Sequence, residues 1–138
     1  MAYPFPSAEW LNAFELILNS DTRYGEIAKN WEADLIFDIQ PDAGAASNAA
    51  SICLYLDLWH GKCRSSRVLT SAGDSPKAKF TLRAPLANFL KILDGEIDPM
   101  QAMLTGKLRV QGDVVYMMRI VPVVLDFVRC AKSVEIAT

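Results

Sequence analysis

At 138 residues, with 51% apolar and 22% charged residues, the chain is long enough to close one core of its own. That composition excludes a disordered, collagen-like or low-complexity polypeptide. The formal net charge of −2 gives no general attraction to nucleic acid. The charge is uneven, because residues 1–60 carry 2 basic and 9 acidic groups while residues 61–138 carry 12 and 7. Three scattered cysteines without a C-x-x-C, and a single histidine, exclude a disulfide scaffold and a tetrahedral zinc site. They fit a reducing compartment. The start Met1-Ala2-Tyr3-Pro4 has no basic head and no apolar run, so no signal peptide is expected and the cytoplasm is the expected location.

Ser7 is a good helix N-cap, and Trp10, Leu11, Phe14, Ile17 and Leu18 follow at helical spacing, which predicts a helix over about 7–19. Asp21 or Thr22 then caps a shorter helix reaching Trp31. Glu32 to Gln40 alternates, with Ala33, Leu35, Phe37 and Ile39 on one face, as in a half-buried strand. Pro41 to Asn48 reads as a loop. Ala50 to Trp59 alternates again, with Ile52, Leu54, Leu56 and Leu58 inward. His60-Gly61-Lys62 is a hairpin turn, and Cys63 to Ser71 returns as a third strand. Gly73-Asp74-Ser75-Pro76 is a further turn, and Lys77 to Arg83 a fourth strand with Phe80 and Leu82 inward. Pro85 suits a first helical turn, and Leu86, Phe89, Leu90 and Leu93 make an amphipathic stripe stopped at Asp94-Gly95. Asp98-Pro99 starts a short helix carrying Met103 and Leu104, and Lys107 to Gln111 is a fifth strand. Gly112-Asp113 opens a last helical region that Pro122 kinks or splits. Helices and strands are grouped rather than alternating, which predicts an α+β fold for a single domain spanning 1–138.

No nucleophile elbow, P-loop or dinucleotide-binding glycine motif is present, and no residue reads as catalytic. His60 sits at a turn with no acidic neighbour in sequence. Asp34 and Asp38 fall on the solvent side of their strand. Cys63, between Lys62 and Arg64, is the best-placed thiol, yet small buried packing residues are the ordinary reading of all three cysteines. Arg64, Arg67, Lys77, Lys79 and Arg83 form a basic band without interleaved aromatics, which reads as a solvated strand face. The surplus lies elsewhere. Between Val114 and Val128 nearly every residue is apolar, too many for one helix stripe. Such a segment serves as a core helix, as a contact with a second copy or partner protein, or as the wall of a cavity.

The text Leu86-x-x-Phe89-x-x-Ile92-Leu93-Asp94-Gly95-Glu96-Ile97-Asp98-Pro99-x-x-Ala102-Met103-x-x-Gly106-Lys107-Leu108-Arg109-Val110-Gln111-Gly112-Asp113 resembles the pattern of the sterol carrier protein type 2 domain family. The N-terminal half is compatible with that family in outline. The resemblance implies an α+β fold with a five-stranded sheet covered by helices that enclose an apolar tunnel. It implies non-enzymatic binding of a fatty acid, fatty acyl-CoA, sterol, phospholipid or isoprenoid quinone, with transient membrane contact and no cofactor or metal. Carried over by position, the lipid-binding wall would take Leu35, Phe37, Ile39, Leu54, Leu56, Phe80 and Leu82 from the strands. From the helices it would take Phe89, Leu93, Met103, Leu104, Met117, Met118, Val121 and Leu125. The alternative role is an accessory subunit that presents a lipid or quinone to a partner enzyme. An enzyme acting on a bound acyl compound would need a polar group inside the tunnel, and the sequence offers none. The end Ile136-Ala137-Thr138 lacks the peroxisomal address of the animal members. A void of roughly 300 Å³ would cost about 7 kcal/mol, so the expectation is a site filled by lipid or partly collapsed.

Overall fold

A computed structural model describes residues 2–42, 51–69 and 78–137; the side chains of Val114, Met117 and Met118 are outside the described set. The chain runs α1 (Ala8–Ser20), α2 (Thr22–Ile27), β1 (Glu32–Gln40), β2 (Ile52–Trp59), β3 (Lys62–Leu69) and β4 (Phe80–Pro85). It continues α3 (Leu86–Asp94), α4 (Pro99–Leu104), β5 (Arg109–Gln111), α5 (Val114–Arg119) and α6 (Val121–Lys132). The predicted α+β class with five strands is what the structure shows. The turn expected at Gly73–Pro76, Lys77 and most of the Pro41–Asn48 loop lie outside the described residues.

Side-chain caps set the helix starts. The Ser7 hydroxyl accepts from the Trp10 N–H at 3.1 Å, and Asp21 accepts from the Tyr24 N–H at 2.8 Å. Asp98 accepts from the Gln101 N–H at 3.0 Å, with Pro99 opening α4 where its missing N–H is harmless. The C-terminal region splits at Ile120, and Pro122 sits in the first turn of α6. The second helix is shorter than predicted, ending at Ile27 rather than near Trp31.

The sheet order is β3-β2-β1-β4-β5, antiparallel except for the parallel β1–β4 pair. Register places Leu56, Leu35 and Phe80 in one row across the sheet and Leu54, Phe37 and Leu82 in the next. These inward residues are all buried. Against them pack Trp10 and Phe14 of α1, Phe89 of α3 and Phe127 of α6. Phe37 lies 5.7 Å from Phe89 and 6.0 Å from Phe127, ring centre to ring centre. Phe14 lies 5.0 Å from Phe127. Helices thus cover one face of the sheet, and the chain ends meet, since Tyr3 bonds through its backbone to Glu135 and Ala137.

The opposite face is polar and paired within itself. Arg83 donates to Asp38 at 2.7 Å, and Arg64 donates to Asp57 at 3.0 Å while lying over the Trp59 ring. Arg67 lies over Tyr55, whose hydroxyl donates to Asp34 at 3.0 Å. Of the basic band expected on the third and fourth strands, Lys77 lies outside the described residues, and β1 and β2 stand between β3, which carries Arg64 and Arg67, and β4, which carries Arg83.

Candidate functional site

Among the described residues, two apolar cavities lie in the interior between sheet and helices. The larger, about 50 Å³, is lined by Phe5, Trp10, Phe37, Leu82, Phe89, Ile92, Leu93, Pro99, Met103, Leu108, Val124, Phe127, Val128 and Ala131. The smaller, about 30 Å³, is lined by Tyr24, Trp31, Leu35, Leu58, Leu82, Val123, Val124 and Phe127. Leu82, Val124 and Phe127 appear in both walls, so these three side chains are the partition between the cavities. A third space, about 450 Å³, is an open surface groove lined by Leu90, Lys91, Asp94, Glu96, Lys132 and Glu135 among others. Its charged rim and openness to water make it a poor home for an apolar chain, despite its size.

Sequence-predicted wall residues divide three ways. Phe37, Leu82, Phe89, Leu93 and Met103 line the larger cavity, and Leu35 and Leu82 the smaller. Ile39, Leu54, Leu56 and Phe80 are buried in the sheet face and Val121 is half-buried, but none of them lines either cavity. Leu104 and Leu125 are corrected: they are 72% and 42% exposed. In α4 the buried side is Pro99 and Ala102, and Leu104 falls on the other side of a helix of only six residues. In α6 the buried side is Val124, Phe127 and Ala131, which puts Leu125 about 100° away. The Met117 and Met118 side chains lie outside the described residues. Sequence reasoning missed Trp10, Ile92, Val124, Phe127 and Val128. Trp10 sits in a visible helix stripe; Ile92 falls outside the stripe read from Leu86, Phe89, Leu90 and Leu93, and the last three sit in a nearly uniform apolar run that gives no phase.

No side chain lining the two apolar cavities is charged. The polar groups that the sequence offers for chemistry are occupied elsewhere. His60 pairs with Glu32 at the start of the neighbouring strand β1 and stacks on Trp59, all three exposed, so an acidic partner remote in sequence is adjacent in the fold. Cys63 is buried against Glu15, and burial, followed by that carboxylate, pushes its thiol up to about 12. Flanking Lys62 and Arg64 do not offset this, and the thiolate is scarce at neutral pH. Burial likewise pushes Cys130 up to about 11. Asp21, Asp126 and Cys130 come within 4.8 Å of one another, but Arg129 bonds both carboxylates at 2.8 Å and takes the place a cation would fill.

A family model described as the SCP-2 sterol transfer family matches residues 14–124. No curated protein matches the chain in sequence. Among solved structures, a crystal structure of sterol carrier protein 2 is similar with 27% identity and a TM-score of 0.83, covering 94% of this chain and 98% of that one. A conserved hypothetical protein of Thermus thermophilus, described as possibly a sterol carrier protein, is similar with 26% identity and a TM-score of 0.81, covering 95% and 90%. A ubiquinone synthesis protein, UbiJ-SCP2, shares the fold with 20% identity and a TM-score of 0.55, covering 94% and 93%.

Proposed function

The chain belongs to the SCP-2 sterol transfer family, and from that premise we propose that it is a non-enzymatic carrier whose two apolar cavities open into one lipid site. The observation that supports this most directly is the thin partition: three apolar side chains separate two wholly apolar cavities beneath the sheet. The cavities are small, about 30 and 50 Å³. A void of about 50 Å³ costs about 1 kcal/mol, against about 7 for a lipid-sized one. An entering chain of ~12 methylenes contributes about 10 kcal/mol of burial before ordering costs, enough to displace three side chains.

Fatty acid, fatty acyl-CoA, sterol, phospholipid and isoprenoid quinone all fit an interior that selects for apolar length. Tyr24 is the one ionisable side chain in the two linings, and burial raises its phenol far above neutral pH, which supports carriage rather than turnover. Three free cysteines suit a reducing compartment such as the cytoplasm. No described helix is long and apolar enough to cross a membrane, so membrane contact would be peripheral and transient. A second reading, an accessory subunit that presents a lipid to a partner enzyme, draws on Val115, 65% exposed, and Leu125 on the C-terminal helices.

Native and denaturing mass spectrometry of the purified protein tests the reading. An acyl chain, sterol or quinone retained under native conditions and released on denaturation is the expected result. A protein that carries nothing and takes up no lipid when offered one sinks it.

A further inference from the structure

Leu93 of α3 stands in two walls at once. It lines the larger apolar cavity, and it lines the open groove of about 450 Å³ between the end of α3 and the C-terminal segment. Leu93 is the one residue in both linings, and it is half-buried. Past Leu93 the wall changes character. Lys91 and Lys132 line the groove together with Asp94, Glu96 and Glu135. The Lys132 side chain crosses from α6 to the end of α3. Its ammonium lies 3.5 Å from where a Cβ on Gly95 would stand, at the turn that Asp94 and Glu96 flank. Yet no ion pair among the described residues includes any of these five side chains. The outer sheet face behaves otherwise, since Arg83 and Asp38, and Arg64 and Asp57, neutralise one another there. The groove thus gathers cationic and anionic groups in one concavity without pairing them.

We infer that the groove is the headgroup site of the lipid cavity: it holds a zwitterionic head, an anionic phosphodiester joined to a cationic ammonium, while the attached chain passes Leu93 into the larger cavity. This rests on the proposal that the cavities hold a lipid, and it narrows the ligand class. A head with only an anion meets three carboxylates, and a head with only a cation meets two ammonium groups. A head with both sets its phosphate oxygens toward the lysines and its ammonium toward the carboxylates. The interior cannot take such a head, because its lining has no charged partner. The groove is open to water, so the head stays hydrated while the chain is buried. Displacing the Leu93 side chain joins the two spaces.

Calorimetric titration of the delipidated protein at pH 8 compares four probes below their micellar concentrations: dodecylphosphocholine, dodecyl phosphate, dodecyltrimethylammonium and phosphocholine alone. Dodecylphosphocholine is expected to bind about tenfold more tightly than either single-sign probe, as two partly exposed charge contacts of a few-fold each multiply. Phosphocholine without a chain is expected to give no measurable binding. Lys91→Gln with Lys132→Gln is expected to remove the preference over dodecyltrimethylammonium, and Asp94→Asn with Glu96→Gln the preference over dodecyl phosphate. In spectra of the wild type, the Gly95 amide and the Leu93 methyl resonances both shift with dodecylphosphocholine; this readout holds even if a variant fails to fold. Equal binding of the three chains, a preference for a single-sign probe, or phosphocholine binding as tightly as dodecylphosphocholine overturns the inference. So do folded variants that keep both preferences, or unmoved Gly95 and Leu93 resonances while Phe89 shifts, which leaves the lipid site standing. If no chain-bearing probe binds, the carrier reading falls and takes this inference with it.

Discussion

Two glycines with similar backbones have unequal reasons to be glycine. Gly61 at the β2–β3 hairpin has φ +79°, and a Cβ there would stand 2.6 Å from the Gly25 carbonyl oxygen in α2. Gly106 at the end of α4 has φ +78°, but a Cβ there would meet nothing within 4 Å. The left-handed conformation costs an L-residue about 1–2 kcal/mol at either place. At Gly61 a clash with backbone adds to it, because neither the hairpin nor α2 can yield without moving the other. Gly106→Ala is expected to lose about 1 kcal/mol in urea unfolding, and Gly61→Ala about 3 or more, with the same m-value. Equal losses at the two sites would show that the hairpin and α2 separate freely. The pattern of residues showed Gly61 as a turn glycine, since positive φ is a local demand. Its contact with Gly25 was invisible, because tertiary proximity between residues 36 positions apart leaves no local trace.

α6 is the element that closes the interior, and an ionic clasp holds it to α2. Arg129 donates to Asp126 and to Asp21, each at 2.8 Å, and Arg23 lies 3.3 Å from Asp126. Asp126 is buried while both arginines remain partly exposed. Removing Arg129 strands a buried carboxylate, whereas removing Arg23, 72% exposed, removes little. Arg129→Ala is expected to cost about 2–3 kcal/mol and Arg23→Ala under about 1. The clasp also sets an acid limit. The Arg129 hydrogen bond, then the Tyr24 N–H, hold Asp21 below its ordinary 3.8. Its stabilising contribution is therefore complete above the unfolded value and is lost as pH falls from about 4 through the folded value. Thermal melts across pH 2.5–7 are expected to show this loss in the wild type and a shallower acid limb in Asp21→Asn. Parallel acid limbs would mean the clasp does not contribute. Strand alternation and caps made most elements of this fold readable, down to Asp98-Pro99 opening α4. The facing of α6 was not readable. The wall residues Met117, Met118, Val121 and Leu125 were drawn from a region that Pro122 was expected to kink or split, but the near-uniform apolar run gave no phase for the part after the break, where Val124 and Phe127 turn inward instead.

At the scale of the whole molecule, stability and ligand binding meet at one ring. Phe127 touches the rings of Phe14, Tyr24 and Phe37, at 5.0, 6.3 and 6.0 Å between centres, and forms part of the partition between the cavities. The sheet order that gathers these rings was not legible in the sequence: β4 joins β1 in parallel after a long excursion through β2 and β3. Only that pairing sets Leu82 beside Phe37 and under α6. A side chain that is both core and partition gives opposite effects when shortened. Phe127→Ala is expected to lower the stability of delipidated protein by about 3–5 kcal/mol, the usual loss for a buried phenylalanine. The same change enlarges the space that Phe127 shares between the two cavities and removes the work of displacing the ring, so an ester probe, methyl laurate, is expected to stabilise the variant more than the wild type. A ligand at a hundred times its Kd adds about 2.7 kcal/mol to any folded protein, a shift of about 10 °C in Tm for a domain of this size. Measured at equal free methyl laurate, the rise in Tm should be larger for Phe127→Ala than for the wild type. A variant that loses stability and gains no more from the ester than the wild type would make Phe127 core alone, with the ligand housed elsewhere in the fold.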